Sequence, residues 1–249
     1  METEARRIGG NMSALKQLAA ALFVVIYTAL PGNALETSLT PREMFINQMA
    51  ELAETIAEDE SQNFRRAHYK SDIGVCKNYV AYLFTKFKDG YEMNEYPDVR
   101  IRMPDNNPNC EPYKYGVEWK DTPAKNGNAF DIAGSFRYDD KLTDEENRQA
   151  AAEMLWCVKR GDFFQLVGDY GGGKGPHSLM FIEDYIEDYE SGVLRWADSN
   201  MTGRTINGER WGYVQYDTQR TVEWMVDVIC LPKHGATLYR LRDDLILKR

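Results

Sequence analysis

The spacing of apolar residues in this 249-residue chain changes at Gly161. Before Gly161, residues 40–59 and 143–159 repeat their apolar positions at helical spacing, which predicts two amphipathic helices. After Gly161, short apolar runs alternate with glycine-rich or polar turns, which predicts strands. The predicted strands are Phe163–Val167, Ser178–Glu183, Val193–Asp198, Trp211–Tyr216 and Val222–Leu231. Helices followed by strands indicate an α+β fold, with N-terminal helices packed on a C-terminal antiparallel sheet.

Capping residues support the predicted helices. Thr40 can cap the first helix, and a proline follows at the position where helices favour it. Thr143 and Glu146 have the spacing of a capping box. A further helix is predicted to begin near Cys76, and the tail, Tyr239–Leu247, is predicted to form a short helix.

Residues 90–140 differ from the rest of the chain because prolines are interspersed with many Asn, Asp and Gly residues. This composition predicts a long irregular insertion with room for one short hairpin. Long loops inside a domain often act as lids or binding loops. Cys110 lies in this insertion, where a disulfide could staple the loop.

The N-terminus has the pattern of a secretory signal. Basic residues precede an apolar run, Leu18–Leu30, and small residues follow it up to Ala34. A membrane span needs roughly 20 residues, so this run is short for one. We expect residues 1–34 to be a cleaved signal, 35–249 to be a single domain, and the mature protein to be secreted or periplasmic without stable membrane insertion. An uncleaved anchor or a buried helix is the alternative.

Charge and cysteine content exclude some classes of protein. The formal net charge is −9 at pH 7, which argues against a nucleic-acid partner, since nucleic acids select for dense Lys and Arg. No C-x-x-C or H-x-x-x-H spacing occurs, so we expect neither a metal site nor another cofactor. If Cys76 is catalytic, Cys110, Cys157 and Cys230 can form at most one disulfide. Cys157, on a predicted helix, and Cys230, in a predicted strand, are expected to be core residues.

Cys76 is the first candidate for chemistry. It lies at a predicted helix start, where unpaired N–H groups and the helix dipole favour the thiolate over the thiol. The thiolate is the reactive form of cysteine, so this position suits a nucleophile. The alternative is that Cys76 is a small core residue on an amphipathic helix.

His177 is the second candidate. It follows a glycine-rich loop, residues 171–175, and opens a predicted strand, where a base can reach a nucleophile on a neighbouring helix. The loop does not fit a phosphate cradle, because it leads into a strand and lacks the GK[ST] signature. His68 and His234 lie in polar loop contexts and are weaker candidates. A solvated loop histidine is the alternative for His177.

The third candidate is the polar end of the next strand. A Cys–His pair needs another group that holds the imidazole in the right tautomer and orientation. Asp198 or Asn200 could do this from the neighbouring antiparallel strand. The alternative is that Asp198-Ser199-Asn200 is only a polar turn.

Together these residues resemble papain-like peptidoglycan amidases and peptidases, the CHAP amidohydrolases and NlpC-type peptidases. Members of these families have Cys at a helix start, often with an aromatic residue three positions later, as Tyr79 follows Cys76 here. They commonly have a Gly-Asp pair before an apolar strand, as in Gly161-Asp162, and then a strand that carries His. The resemblance covers about residues 61–85 and 155–216.

In CHAP members an acidic residue and an Asn follow two positions apart, and Asp198 and Asn200 resemble that pair, with Asp where Glu is usual. The chain departs from the NlpC type, because Val75 replaces the Asp that commonly precedes Cys and the Cys-Ser-Gly motif is absent. The resemblance therefore implies a papain-like core and cysteine chemistry more strongly than cleavage of the cell wall.

The resemblance implies a cysteine hydrolase that cleaves an amide bond in peptidoglycan or a related peptide, and the signal pattern at the N-terminus predicts that it is exported. Cys76 would be the nucleophile, His177 the base and Asp198 its orienting group, with Asn200 in reserve. The Cys76 N–H would bind the oxyanion, with Tyr69 or Lys70 as candidates for a second donor, and Tyr170 and Trp196 could line the cleft. The alternatives are a cysteine peptidase or acyltransferase acting on proteins, a toxin-like effector, and a non-catalytic binding module that keeps the fold.

Overall fold

The computed structural model describes residues 38–58, 66–68, 73–104, 106–107, 118–119, 123–167, 177–187, 192–200 and 205–249. Residues Leu39–Arg249 form one compact unit. The predicted signal at 1–34, the glycine-rich loop at 171–175 and Cys110 lie outside the described residues.

The described part of the chain contains four α-helices. They are α1 (Pro41–Glu58), α2 (Cys76–Phe87), α3 (Asp144–Trp156) and α4 (Val222–Ile229). The predicted capping box of α3 is confirmed: the Glu146 amide donates to the Thr143 hydroxyl, and the Glu146 carboxylate accepts from the Thr143 amide. No described helix is long and apolar enough to cross a membrane.

Most described strands join one antiparallel sheet. Its members are β1 (Arg66–His68), β5 (Phe130–Arg137), β6 (Phe163–Val167), β7 (His177–Phe181), β8 (Val193–Asn200), β9 (Thr205–Ile206), β10 (Glu209–Thr221) and β11 (Gly235–Leu241). The order across the sheet is β1-β10-β8-β7-β6-β11-β5, and β9 pairs with one end of β10. Two short pairs lie apart: β2 (Tyr91–Met93) with β12 (Leu245–Leu247), and β3 (Asn106–Asn107) with β4 (Glu118–Trp119). The expected α+β class is confirmed.

The large sheet is the middle layer between two groups of helices. Alternate side chains of a strand point to opposite faces, so Phe163 and Phe164 belong to different hydrophobic clusters. The first cluster joins Phe163 to α1 and α2, and the second joins Phe164 to α3 and α4. Every residue of β6 is buried, because both faces of the strand are covered. A shift of one residue would exchange the two faces, so burial on both faces also fixes the register of the strand.

The segment predicted as the strand Val222–Leu231 is instead α4, so that prediction is wrong. Thr221 caps the helix by accepting a hydrogen bond from the Trp224 amide at 3.1 Å. The buried residues of α4 recur at helical spacing, and its many β-branched residues had favoured a strand. Cys230 accordingly caps the C-terminal end of α4 and does not lie in a strand.

Three further predictions are corrected. The tail forms strands β11 and β12 rather than a helix, because β11 finds pairing partners on both sides in β5 and β6. Residues 130–137 of the predicted irregular insertion form the edge strand β5, although the insertion also contains the short β3–β4 pair. Cys157 is exposed at the C-terminal cap of α3 rather than buried in the core.

The Gly161-Asp162 pair has a structural role at the start of β6. Asp162 is fully buried and accepts hydrogen bonds from the Arg240 guanidinium at 2.9 and 2.7 Å and from the Lys159 amide at 2.8 Å. Gly161 has φ +85°, and a Cβ there would lie 2.6 Å from Ile46 of α1. This corner therefore joins α1, the end of α3 and β11, and it requires glycine followed by an acceptor.

We predict that Asp162→Asn lowers the free energy of unfolding by about 2–4 kcal/mol, because it removes the counter-charge of the partly buried Arg240. Asp131→Asn is the matched control: Asp131 pairs with Arg242, but its side chain is 60% exposed. The control should lose less than about 1 kcal/mol in urea unfolding. An equal loss of unfolding free energy in the two variants would show that the buried Asp162–Arg240 pair stabilises the protein no more than the exposed pair does.

Candidate active site

The sheet and α2 bring three of the predicted site residues together. His177 is the first residue of β7, and Asp198 lies in β8 opposite Leu179, two positions along from His177. This diagonal placement lets His177 Nε2 donate to Asp198 Oδ2 at 2.6 Å. The side chains are 19% and 5% exposed, so the hydrogen bond is largely shielded from water. Asp198 therefore fixes both the orientation and the tautomer of the ring.

Cys76, the first residue of α2, completes the chain of contacts. Its thiol lies within reach of the His177 ring, which acts on it as a hydrogen-bond partner and as a charge. Because Nε2 is engaged by Asp198, the ring nitrogen left for the sulfur is Nδ1. The imidazole thus lies between the sulfur and the carboxylate, which is the arrangement that nucleophile, base and orienting group require.

This arrangement favours a thiolate beside an imidazolium. Burial by itself would raise the pKa of Cys76, but the hydrogen bond to His177, the charge of His177 and the amides of Ser178 and Lys77 outweigh it and lower that pKa. Burial likewise opposes protonation of His177, but its bonds to Asp198 and Cys76 raise its pKa to about 10. Both shifts stabilise the charged pair at neutral pH.

The start of α2 also provides backbone donors. Val75, the N-terminal cap, is extended, and the first helical hydrogen bond runs from the Tyr79 amide to the Val75 carbonyl at 2.8 Å. The amides of Cys76, Lys77 and Asn78 consequently have no acceptor inside the helix. Lys77 directs its amide to the sulfur. The Cys76 amide, next to the sulfur, is the donor that an oxyanion formed at this sulfur would meet.

A buried pair of side chains that the sequence reading missed anchors the start of β7. Ser178 donates to Gln165 Oε1 at 2.5 Å, and Gln165 Nε2 donates to the carbonyls of Leu166 at 2.8 Å and His177 at 3.2 Å. Gln165 and Ser178 are each 1% exposed. A buried carboxamide in an otherwise apolar strand was the available signal, because such a group must find partners.

Gly212 of β10 is a second residue that the sequence reading missed. A Cβ at this position would lie 2.4 Å from the Gly74 carbonyl oxygen and 3.2 Å from Ser199 Oγ. Only glycine therefore lets β10 approach the segment that leads into Cys76. Isolated glycine in a strand was the signal, since it often marks a close backbone approach.

The remaining predicted site residues are placed elsewhere. Asn200 is exposed at the end of β8, and among the described residues no hydrogen bond joins it to His177. Trp196 is buried and stacks on Trp224 with 6.2 Å between ring centroids, so it belongs to the core and not to a cleft. His234 is buried, and its Nδ1 lies 3.2 Å from the Val228 carbonyl. Tyr69, Lys70 and Tyr170 lie outside the described residues, as does the side chain of His68.

Tyr79 lies one helical turn after Cys76 and is fully buried. Burial and the charge of Asp198 raise the pKa of its hydroxyl. Tyr79 therefore remains a neutral phenol in the environment of the Asp198 carboxylate.

In the part of the chain that the structure describes, no group of three or more His, Cys, Asp or Glu side chains is arranged to hold a metal ion. A scan against protein-family models, a search of curated proteins and a search of solved structures each find no match for this chain.

We predict that Cys76 reacts with iodoacetamide at lower pH than Cys230. Its lowered pKa means that the midpoint of its pH–rate curve falls below the ordinary value of 9.0. Burial raises the pKa of Cys230, so the midpoint for that residue should lie above 9.0. Peptide mass spectrometry of one alkylated sample reports both residues.

The same assay tests the partner of the thiol. In His177→Ala, only the amides of Ser178 and Lys77 still oppose the effect of burial, so the pKa of Cys76 rises and its alkylation rate at pH 7 should fall at least about tenfold. The rate at Cys230 should not change. A Cys76 rate that is insensitive to His177 would contradict the ion pair.

We also predict that Gly212→Ala slows alkylation of Cys76, because the new methyl group displaces the segment at Gly74. Gly90→Ala is the control, since no atom lies within 4 Å of a Cβ at Gly90. If both variants react like the wild type, the contact between β10 and Gly74 does not position the nucleophile.

Proposed function

We propose that this chain is a cysteine hydrolase with a papain-like core that cleaves an amide bond in peptidoglycan or a related peptide. The observation that carries the proposal is the continuous contact from the Cys76 thiol through the His177 ring to the Asp198 carboxylate. A nucleophile at a helix start, a base at a strand start and an acid on the neighbouring strand support a papain-like arrangement of these residues.

In the first half of the reaction, the Cys76 thiolate attacks the carbonyl carbon of the amide and forms a carbon–sulfur bond. The carbonyl π electrons move to oxygen, where the Cys76 amide stabilises the negative charge. His177 holds a proton, since its pKa is raised to about 10, and gives it to the departing nitrogen. The carbon–nitrogen bond then breaks, which releases an amine and leaves a thioester on Cys76.

In the second half, neutral His177 removes a proton from water, and the hydroxide formed attacks the thioester carbon. The carbon–sulfur bond breaks, the electron pair returns to sulfur, and a carboxylic acid leaves. The enzyme is again a thiolate beside an imidazolium. Asp198 remains ionised and holds the ring in one orientation through both halves.

Three features support an extracellular amide as substrate. The N-terminal pattern of residues 1–34 predicts export. The motif order resembles peptidoglycan amidases and peptidases. The net charge of −9 disfavours an anionic polymer such as nucleic acid, but it allows a neutral or zwitterionic peptide.

We predict that Cys76→Ala abolishes the release of fragments from purified peptidoglycan and that Asp198→Ala lowers kcat about 10²- to 10⁴-fold, because the ring loses its orienting group. Asn200→Ala, in the same strand, should keep kcat within about threefold at saturating substrate, since it does not contact His177. Mass spectrometry of the released fragments measures all variants and identifies the bond.

Fragment release by Cys76→Ala at the wild-type rate would rule out the nucleophile. If no variant acts on peptidoglycan but Cys76 still alkylates rapidly, the chemistry stands and the substrate is a different peptide. If Cys76 is also unreactive, the chain is a binding module.

A further inference from the structure

One side of β10 presents a polar and aromatic strip beside the triad. Along this strand, Gly212 and Val214 are buried, whereas Trp211, Tyr213 and Gln215 are only partly buried. Alternate residues of a strand share a face, so the last three side chains point the same way. The strip is therefore a regular feature of the strand and not an isolated exposed aromatic residue.

The register of the sheet places this strip next to the catalytic residues. Gln215 lies opposite Asp198, and Tyr213 lies opposite the exposed Asn200. Directly opposed residues in an antiparallel pair have Cβ atoms about 5 Å apart. The strip thus runs from the His177–Asp198 pair outward along β10.

Backbone pairing restricts what can bind there. β1 pairs with β10 at residues 211–213, and β8 pairs with it at residues 213–215. β10 therefore has a partner strand on both sides at Tyr213, and there it offers no open edge to which an extended peptide could add as a further strand. A ligand at Tyr213 must instead lie on the side chains.

We propose that Trp211, Tyr213, Gln215 and Asn200 form a subsite for a sugar ring of a glycan, adjacent to the triad. A pyranose ring presents C–H groups on its face and hydroxyl or acetamido groups at its rim. Aromatic rings match the face, and the two carboxamides match the rim because each can both donate and accept hydrogen bonds. All four side chains are uncharged, which suits a neutral sugar better than a charged peptide group.

This inference rests on the proposed function, because the subsite would hold a glycan-linked substrate next to Cys76. It identifies Asn200 as a residue that binds substrate rather than one that orients His177. It also places the scissile amide near a sugar, as in a peptide attached to a glycan strand.

The test uses the full chain with Cys76→Ala, so that binding is measured without turnover. The probe is tetra-N-acetylchitotetraose, titrated by calorimetry. Trp211→Ala and Tyr213→Ala should each weaken binding about tenfold or more, whereas Tyr213→Phe, which keeps the ring, should weaken it less. Trp224→Ala is the matched control, because Trp224 is 43% exposed on α4 but lies outside the strip.

Gln215→Ala and Asn200→Ala alter only side-chain polar groups, and they keep the inference testable if the aromatic variants fail to fold. Each should weaken binding several-fold and, with Cys76 restored, raise KM for peptidoglycan with little change in kcat. Equal affinity for the sugar in all variants, or no binding, would overturn the inference. Binding of a sugar-free peptide that depends on these residues would assign the strip to peptide and would also overturn it.

The sugar-binding test and the test of the proposed chemistry can fail independently. Sugar binding that depends on the strip, together with a Cys76 that alkylates no faster than Cys230, would retain the subsite and remove the hydrolase. Rapid alkylation of Cys76 without sugar binding would retain the reactive cysteine and remove the subsite.

Discussion

The structure of the site depends on one shielded interaction, the hydrogen bond between His177 and Asp198. It fixes the ring so that the other nitrogen faces Cys76, and it favours the imidazolium although the site is buried. Without that carboxylate, burial would favour neutral imidazole and neutral thiol, and the nucleophile would be weak. The sheet supplies the geometry, since β7 and β8 are direct neighbours in register at this end.

Rigid parts of the fold hold these side chains in place. Gln165 and Ser178 fix the start of β7 through buried hydrogen bonds, and Gly212 lets β10 contact the backbone just before Cys76. Helix α2 packs against the sheet through Tyr79 and its apolar neighbours, so its first turn is held close to β7. The Cys76–His177 pair is therefore ordered before a substrate binds. Packing of the core, and not contacts with a substrate, stabilises this arrangement.

The sequence predicted the parts of this fold that depend on local patterns. The capping box of α3 and the strands β6 and β8 follow from residue type and spacing alone. The prediction was wrong at α4 and β11, where local residue preference favoured the other type of element. Segment β11 is a strand because it pairs with β5 and β6 on its two sides. The predicted grouping of Cys76, His177 and Asp198 required only helix starts and adjacent strands, whereas the roles of Gln165 and Gly212 depend on contacts between segments that are distant in sequence.

The proposed chemistry requires that Cys76 becomes acylated during turnover. The most direct measurement is acid quenching of the protein during digestion of peptidoglycan, followed by mass spectrometry of the peptide that contains Cys76. We expect the mass of this peptide to increase by that of an acyl group from the substrate, and we expect treatment with hydroxylamine to remove the increase. Release of fragments by a protein whose Cys76 is never modified, and whose Cys76→Ala variant remains active, would contradict it.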